Sequence, residues 1–366
     1  NGKLYGFTDM GGDNDLGVIF SINPDGSGFQ LLHEFNEDNG EEPFGTLTVY
    51  NDKLYGMTSG GGTFDKGVVF SIDSDGSNFY DFYHITGGPG GGQFGGYGVV
   101  VDNDVVYGVT YMGGASQEGV VFSVTITGND FQMLHEFDIN DGSRPQAKLT
   151  LIDNILYGMT TEGGASNLGV IFSITTTGGD FTLLYEFSGS ADDGGDPRGE
   201  LTIFGNTLYG TTAYGGDYGY NGGTVFSITT SGTDFTLLHE FSGSVDDGKW
   251  PLGSLTFSDG KIYGMTYEGG DNTLGVIFSM DIDGTNYTNL HEFAGGVNDG
   301  QYPEQSNQVV VGTTLYGMTW GGGDNDLGVI FKYDFSPPIP EPTTIILLLL
   351  SFLGLIGKHV KRKHSS

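Results

Sequence analysis

Histidine recurs at one place in the repeating pattern of this chain, and a glutamate usually follows it. Imidazole nitrogens and carboxylate oxygens are common ligands of protein-bound metals. A shared metal centre would require these side chains to converge, but equivalent residues of successive repeats are expected tens of ångströms apart. We therefore interpret the series as structural and predict no metal site. Its members are His33, His84, His135, His239 and His291, with Tyr185 at the sixth place, and Glu34, Glu136, Glu186, Glu240 and Glu292.

Two series of aspartates are candidates for calcium binding. Residues 73–78 and 281–286 read Asp-x-Asp-Gly-x-Asn, which is too short for the ligand set of an EF-hand loop. The second series reads Asp-Gly-x-x-Pro. Because Asp-Gly and Pro favour turns, we interpret both series as turns and predict no cofactor, with loose Ca²⁺ binding as the alternative. The second series begins at Asp141, Asp193, Asp247 and Asp299, with the variant Asp38-Asn39-Gly40.

Aromatic residues among Asp and Asn suggest a carbohydrate site. A flat ring stacks on a pyranose, while carboxylates and amides bind its hydroxyl groups. Aromatic residues make up 13% of the chain, so the alternative is that several of them pack inside the fold. The predicted ligand-binding residues are Tyr111, Tyr214, Tyr218, Tyr220, Trp250, Tyr267 and Trp320.

Catalytic residues do not stand out. Each acidic position recurs with the repeat, and no copy carries its own cluster of Asp, Glu, His, Arg or Lys. Cysteine is absent, which excludes thiol catalysis and Cys-ligated metals. The sequence predicts a non-enzymatic protein. A polysaccharide lyase or hydrolase, which would need a converging pair of acidic groups, is the alternative.

The element that positions these residues is a repeat of about fifty residues. A Tyr-Gly pair preceded by Leu, Ile or Val occurs seven times, and such a period is typical of solenoids, propellers and arrays. Each copy holds four short runs rich in β-branched and aromatic residues, separated by Gly, Asn or Asp. The Tyr residues of the pairs are Tyr5, Tyr55, Tyr107, Tyr157, Tyr209, Tyr263 and Tyr316.

Each copy is predicted to form a four-stranded antiparallel blade of an all-β propeller. Runs such as Gly169-Val170-Ile171-Phe172 are apolar without alternation, as expected of strands covered on both faces. Two of the four strand types occur seven times and two occur six times. The 26 strands favour seven blades with the last incomplete, although six remain possible. The repeat domain is assigned to residues 1–335.

The loops of such a meander alternate between two rims. The Gly-Gly loops and the Asp-Gly-x-x-Pro turns are expected on one rim, and short hairpins such as Asn51-Asp52 and Asp75-Gly76 on the other. Longer loops usually carry the binding function. The predicted aromatic site therefore belongs to the Gly-Gly rim.

The net charge of the chain limits the classes of partner that it can bind. The net charge is −33 at pH 7, which disfavours nucleic acid and anionic membranes. The chain opens at Asn1 directly on a Leu-Tyr-Gly run. We expect upstream strands that close the ring and a signal peptide before it.

The C-terminal tail predicts export and anchoring. Residues 336–344 form a Pro-rich linker, and residues 345–366 combine an apolar stretch with a basic end. This stretch would make a short transmembrane helix with its cationic end in the cytoplasm. The linker contains Pro340, Glu341 and Pro342, and the basic residues that flank the membrane are Lys358, Lys361, Arg362 and Lys363.

Pro-Glu-Pro, an apolar helix and a basic cluster in this order resemble the PEP-CTERM sorting signal of Gram-negative bacteria. That resemblance implies processing by an exosortase-type enzyme, transient anchoring in the inner membrane, and a place at the cell surface or outside the cell. Carriers of this signal are commonly associated with extracellular polysaccharide or biofilm matrix. An extracellular polysaccharide is therefore the expected partner.

The repeat itself resembles the GloVer-type tandem repeat of secreted bacterial proteins. The resemblance rests on Leu-Tyr-Gly-x-Thr, Gly-Gly, Gly-x-x-Phe, Leu-x-x-Phe and Asp-Gly-x-x-Pro, and extends from Leu4 to Phe331. Members of this family generally lack a defined activity. The second copy departs from the pattern, with His84-Ile85 in place of Glu-Phe and glycine-rich residues 87–96 in place of the turn. The resemblance implies an exported structural or adhesive protein.

Overall fold

Four strands in each repeat pair as an antiparallel meander, and the repeats form a seven-bladed β-propeller in a computed structural model. The structure describes residues 2–303 and 308–335. The described blades contain 26 strands, as the sequence predicted. Two blades have three strands instead of four. Among the described residues, blade 1 lacks a first strand and blade 7 lacks a fourth strand.

The first strand of each blade lies nearest the central axis. Gly45, Tyr97, Lys148 and Arg198 lie just before four successive first strands and line one cavity, hereafter the mouth of the central channel. Residues of four blades can meet in this way only close to the propeller axis. Neighbouring first strands are also bonded directly, since Thr202 Oγ1 donates to the Leu255 carbonyl oxygen at 2.7 Å. The first strands of blades 2 to 7 are Thr48–Tyr50, Val99–Asp102, Thr150–Ile152, Thr202–Phe204, Thr256–Ser258 and Val309–Val311.

The second strand carries the Tyr-Gly pair, and the glycine is a packing requirement. A Cβ at Gly158 would lie 2.5 Å from the Phe172 ring of the third strand, and the other six copies show the same close approach. The absence of a side chain therefore makes room for the phenylalanine. The second strands of blades 1 to 7 are Leu4–Thr8, Lys53–Gly60, Val105–Thr110, Ile155–Thr160, Thr207–Thr212, Lys261–Thr266 and Thr314–Met318.

The third strand is the most deeply buried one. Its apolar residues face both neighbouring blades, so six of the core clusters each join two successive blades. Blades 7 and 1 meet across a small cavity lined by Phe331 and Leu4. The third strands are Val18–Ile22, Val68–Asp73, Val120–Thr125, Val170–Thr175, Thr224–Thr229, Val276–Asp281 and Ile330–Asp334.

The fourth strand is outermost. It pairs with the third strand through a register shift at the same place in all six copies. The divergent second copy forms the same strand, so its sequence departures do not alter the meander. The fourth strands of blades 1 to 6 are Gln30–Glu34, Tyr80–His84, Gln132–Glu136, Thr182–Glu186, Thr236–Glu240 and Thr288–Glu292.

The two rims are divided as the sequence predicted. On one, hereafter the upper rim, the turn that precedes each blade pairs with the Gly-Gly loop of that blade, as between Gly248–Lys249 and Glu268–Gly269. On the opposite rim the two hairpins of a blade are bonded to each other, as Ser74 N–H donates to the Asp52 carbonyl. The remaining upper-rim elements are Glu41–Pro43, Gly92–Gln93, Met112–Gly113, Gly194–Gly195, Tyr214–Gly215, Gly300–Gln301 and Gly321–Gly322, with 3₁₀ helices Gly216–Asn221 and Gly296–Asn298.

The predicted C-terminal helix and sorting motif lie outside the described residues. Within the described ranges, no helix is both long and apolar enough to cross a bilayer.

Candidate functional site

The histidine series lies on the outer strands and ties blades together. The His135 ring stacks on Phe181 of the next blade at 3.7 Å, and its Nε2 lies 3.1 Å from Oδ2 of Asp141. His239 repeats this with Tyr287 at 3.9 Å and Asp247 at 3.2 Å. The His135 and His239 rings therefore fill the joints between blades and anchor the Asp-Gly-x-x-Pro turns. This geometry supports the structural interpretation.

His84 was wrongly placed in this series. In blade 2 the strand register that histidine has in other copies belongs to Tyr83, whose ring stacks on Phe131 of the next blade at 4.7 Å. His84 instead takes the glutamate place, and its Nδ1 accepts a hydrogen bond of 3.0 Å from Thr63 N–H of the loop.

The adjacent glutamates also have local partners. Glu186 accepts a hydrogen bond of 2.7 Å from the Ala165 backbone N–H, and Glu240 accepts one of 2.9 Å from Asp217 N–H. Both donors belong to the loop between the second and third strands of the same blade. The carboxylates therefore hold the upper-rim loops in place.

The aspartates of both turn series accept hydrogen bonds within their own turns. Asp75 accepts bonds from the hydroxyl group and the backbone N–H of Ser77, and the hydroxyl bond is the larger cause of its lowered pKa. Asp247 accepts bonds from His239 and from Ser242 N–H. Burial acts to raise the pKa of Asp247, but these bonds outweigh it and the pKa is lowered. The described residues contain no group of three or more metal-ligating side chains.

One residue of each inter-blade turn bridges two blades through its backbone. Trp250 N–H donates to the Gly222 carbonyl of blade 5 at 3.0 Å, and its own carbonyl accepts from Tyr267 N–H of blade 6 at 2.9 Å. This residue precedes the proline in the Asp-Gly-x-x-Pro pattern, or Gly95 in the divergent second copy, and has a left-handed backbone, with φ of 57° at Trp250. The six equivalent residues, hereafter the bridge positions, are Glu42, Phe94, Arg144, Asp196, Trp250 and Tyr302.

Four of the seven predicted aromatic residues lie in one continuous set on blades 5 and 6. Tyr214 lies 5.1 Å from Tyr220 and 6.5 Å from Trp250 between ring centroids, and Trp250 lies 6.3 Å from Tyr267. Tyr302, which the sequence analysis did not single out, extends the set by stacking on Tyr267 at 5.0 Å. These five rings are hereafter the aromatic arc.

The other three predicted aromatic residues lie apart from the arc. Tyr111 is in blade 3, where the Arg144 guanidinium lies 5.6 Å from its ring centroid. Tyr218 and Trp320 are 50% and 63% exposed, and neither makes a ring contact among the described residues. Trp320 N–H bonds to the Tyr302 carbonyl at 3.0 Å, which places it beside one end of the arc.

Four cationic side chains on the upper rim lie beside carboxylates. Arg144 bonds to Glu162 at 2.7 Å, Lys249 bonds to Glu268 at 2.9 Å, and Arg198 donates from Nε and Nη2 to Asp196. Lys148 Nζ lies 3.8 Å from Glu200 at the mouth of the central channel. These pairs present donors and acceptors side by side without a net positive charge.

The mouth of the central channel brings together residues that the sequence analysis missed. Tyr97, Gln146, Lys148, Arg198 and Glu200 line it. Burial raises the pKa of Tyr97 to about 12, against the lowering effect of Arg198, so the phenol stays protonated at neutral pH. A signal was available for Gln146 and Arg198, which directly follow the proline of their turns, because the residue type at this place changes between copies whereas a scaffold position would keep one type.

Comparisons with solved structures show the fold alone, because the structures named here share 9–12% sequence identity with this chain. An oligogalacturonate lyase in complex with manganese has a TM-score of 0.59 at 10% identity, covering 88% of this chain and 83% of that one. A putative 6-phosphogluconolactonase from Bacteroides uniformis has a TM-score of 0.58 at 12% identity, covering 92% and 93%. A puromycin-hydrolyzing peptidase from Mycobacterium tuberculosis has a TM-score of 0.58 at 9% identity, covering 92% and 51%.

A comparison with curated proteins gives no match. The family model of the Gloeobacter/Verrucomicrobia repeat matches residues 1–221 and 192–346. These matches cover all seven blades, whose shared meander and inter-blade turns are described above. The chain belongs to the Gloeobacter/Verrucomicrobia repeat family.

Proposed function

We propose that this protein is a non-enzymatic, exported surface protein that adheres to neutral polysaccharide through the aromatic arc. The observation that carries the proposal is the contact of five rings in sequence, Tyr220, Tyr214, Trp250, Tyr267 and Tyr302, on the rim with the longer loops. Rings in such a row can stack on successive sugars of one chain. Their polar neighbours can bind the hydroxyl groups.

Charge favours a neutral ligand. The chain has a net charge of −33, and the upper-rim cations named above already have carboxylate partners. An acidic polysaccharide would meet a repulsive field, whereas sugar hydroxyls can use the paired donors and acceptors. Export and transient anchoring rest on the resemblance of the tail to an exosortase signal. An exosortase-type enzyme is thus the proposed processing partner.

Affinity electrophoresis tests the proposal. The full chain is run in native gels that contain xylan, a soluble β-glucan or alginate. We expect retardation by at least one neutral polysaccharide and none by alginate. Tyr267→Ala removes the centre of the arc and should lose most of the retardation. Tyr80→Ala, an exposed tyrosine on the outer strand of blade 2, is the matched control and should behave like the wild type.

Absence of retardation in every gel, or full retardation of Tyr267→Ala, would overturn the proposal. Shortening of any polysaccharide on incubation would instead support the alternative, a carbohydrate-active lyase or hydrolase on a propeller scaffold.

A further inference from the structure

The bridge positions combine a constant backbone with a changing side chain. Their φ angles all lie between 51° and 57°, although the residues are Glu, Phe, Arg, Asp, Trp and Tyr. The backbone bonds described for Trp250 recur at Arg144, whose N–H donates to Glu118 at 2.8 Å and whose carbonyl accepts from Thr161 N–H at 3.3 Å. The fold therefore requires the left-handed turn but not any particular side chain.

A left-handed backbone is costly for most of these residue types. Glycine adopts it freely, and Asp and Asn tolerate it best among the other residues. The chain follows this rule elsewhere in its described residues, where the non-glycine residues at positive φ are Asp or Asn, except for Gln117 and Thr273. At the bridge positions it places glycine in no copy and Asp in only one. Folding alone would favour glycine there.

The side chains at the bridge positions lie on the upper rim, which carries the proposed ligand site. Trp250 and Tyr302 belong to the aromatic arc, and Asp196 holds the Arg198 guanidinium beside the channel mouth. Phe94 is 39% exposed. Strain of this kind persists where the side chain has a function.

We propose that the six bridge positions are the specificity-determining residues of the upper rim. Each inter-blade turn presents one side chain to a neutral polysaccharide, and the ligand class rests on the proposed function. Trp250 and Tyr302 supply stacking surfaces. Arg144 and Asp196 supply hydrogen bonds to hydroxyl groups. Substitutions at these positions can therefore change the ligand without altering the blades.

Glycine substitution separates the two roles of these residues, because it removes the side chain and relieves the backbone. In the full chain, Trp250→Gly and Tyr302→Gly should each bind the retained polysaccharide at least about tenfold more weakly, since stacking of one sugar ring is lost. Glu42→Gly and Phe94→Gly lose only exposed side-chain contacts, a hydrogen bond of 3.4 Å from Ser59 Oγ to Glu42 and the position of Lys66 Nζ 5.1 Å from the Phe94 ring centroid. Their thermal midpoints should stay the same or rise by about 1–3 °C.

The matched control is Asp153→Gly, which has φ of 53° in a hairpin of the opposite rim. Its affinity should equal that of the wild type. If Trp250→Gly and Tyr302→Gly bind the polysaccharide with the affinity of the wild type, this inference is overturned and the proposed function is not affected. A lower midpoint in Glu42→Gly and Phe94→Gly would overturn it whether or not the wild type binds. Failure of the wild type to bind any polysaccharide would overturn the proposed function.

Discussion

The indole Nε1 of Trp250 donates a hydrogen bond of 2.8 Å to the carbonyl oxygen of Tyr220. Tyr220 lies in the 3₁₀ segment of blade 5, and Trp250 lies in the turn that leads to blade 6. On the Trp250 ring, Lys249 Nζ lies 3.7 Å from the centroid. The bond therefore fixes the orientation of one ring and the position of the loop that carries another.

Trp250→Phe should weaken polysaccharide binding about fivefold, because it keeps a ring but loses this bond, which contributes about 1 kcal/mol. Isothermal titration with the retained polysaccharide measures the change. Tyr80→Phe is the control, since Tyr80 is 50% exposed on the outer strand of blade 2 and lies outside the aromatic arc. Equal affinities of Trp250→Phe and the wild type would contradict a role for the bond.

Gly158→Ala should destabilise the propeller by about 1–3 kcal/mol, because its Cβ would meet the Phe172 ring at 2.5 Å and the core is closely packed. Urea unfolding measures the loss. Gly90→Ala, which has open space around it, should be nearly neutral. The double variant Gly158→Ala/Phe172→Leu replaces the opposing ring by a smaller side chain. Its loss of unfolding free energy should be less than the sum of the losses of the two single variants. Additive costs would show that the two residues do not clash.

His33→Tyr should make stability less sensitive to acid. Burial lowers the pKa of His33 from 6.5 to about 4, and its ring stacks on Phe79 at 3.6 Å. Between pH 6.5 and 4 the unfolded chain binds a proton that the folded chain does not. The free energy of unfolding therefore falls as the pH drops through this window, by about 2 kcal/mol after allowance for partial exposure.

Tyrosine occupies the same place in blade 4 as Tyr185, which stacks on Phe235 at 4.0 Å, so the variant keeps the stacking contact. Urea unfolding at pH 7.5 and at pH 4.5 tests the prediction, and the difference between variant and wild type isolates His33 from other titrating groups. An identical pH dependence in the two proteins would contradict it.

Calcium should change the thermal midpoint by less than about 1 °C, because the turn carboxylates already accept hydrogen bonds from neighbouring groups. Asp299, for example, accepts bonds from His291 and from Ala294 N–H. The midpoint is measured in EDTA and in millimolar calcium. If calcium raises the thermal midpoint and Asp299→Asn abolishes that increase, the turns would instead be assigned to calcium binding.

The tail is predicted to be processed near Pro340, Glu341 and Pro342. In a Gram-negative host with an exosortase, mass spectrometry of the surface protein should show loss of the apolar segment and of Lys358, Lys361, Arg362 and Lys363. Glu341→Ala should retain the intact tail in the inner membrane. Recovery of the intact tail from the surface of wild-type cells would contradict the sorting assignment.

Most of the fold could be predicted from the sequence because the same strand and turn pattern occurs seven times. The strand types, the turns and the count of 26 strands come from local patterns that neighbouring copies corroborate. The second copy shows how far this holds. Its glycine-rich loop departs from the consensus, yet Phe94 still takes the left-handed bridge geometry with φ of 54°, because the neighbouring blades impose it.

The candidate site was predicted only in part. Tyr214, Tyr220, Trp250 and Tyr267 were recognised from residue type and loop position and do come together. Tyr302 was missed although it has the same turn position as Trp250, and its place in the arc is shown by its stacking on Tyr267, which is 35 positions away in the chain. Arg198 was missed for a similar reason, because its place at the channel mouth depends on the meeting of first strands from several blades.

The sequence by itself determined the repeat, the blade topology, the division of the rims and the acidic charge, since each follows from local periodicity and composition. Tertiary structure decided which rim side chains meet, that blades 1 and 7 each have three strands in the part of the chain that the structure describes, and that one residue of each turn bridges two blades. The physical reason is that blade packing brings residues fifty positions apart into contact. A period in the sequence fixes the spacing of such residues along the chain, whereas the closure of the ring fixes which of them touch.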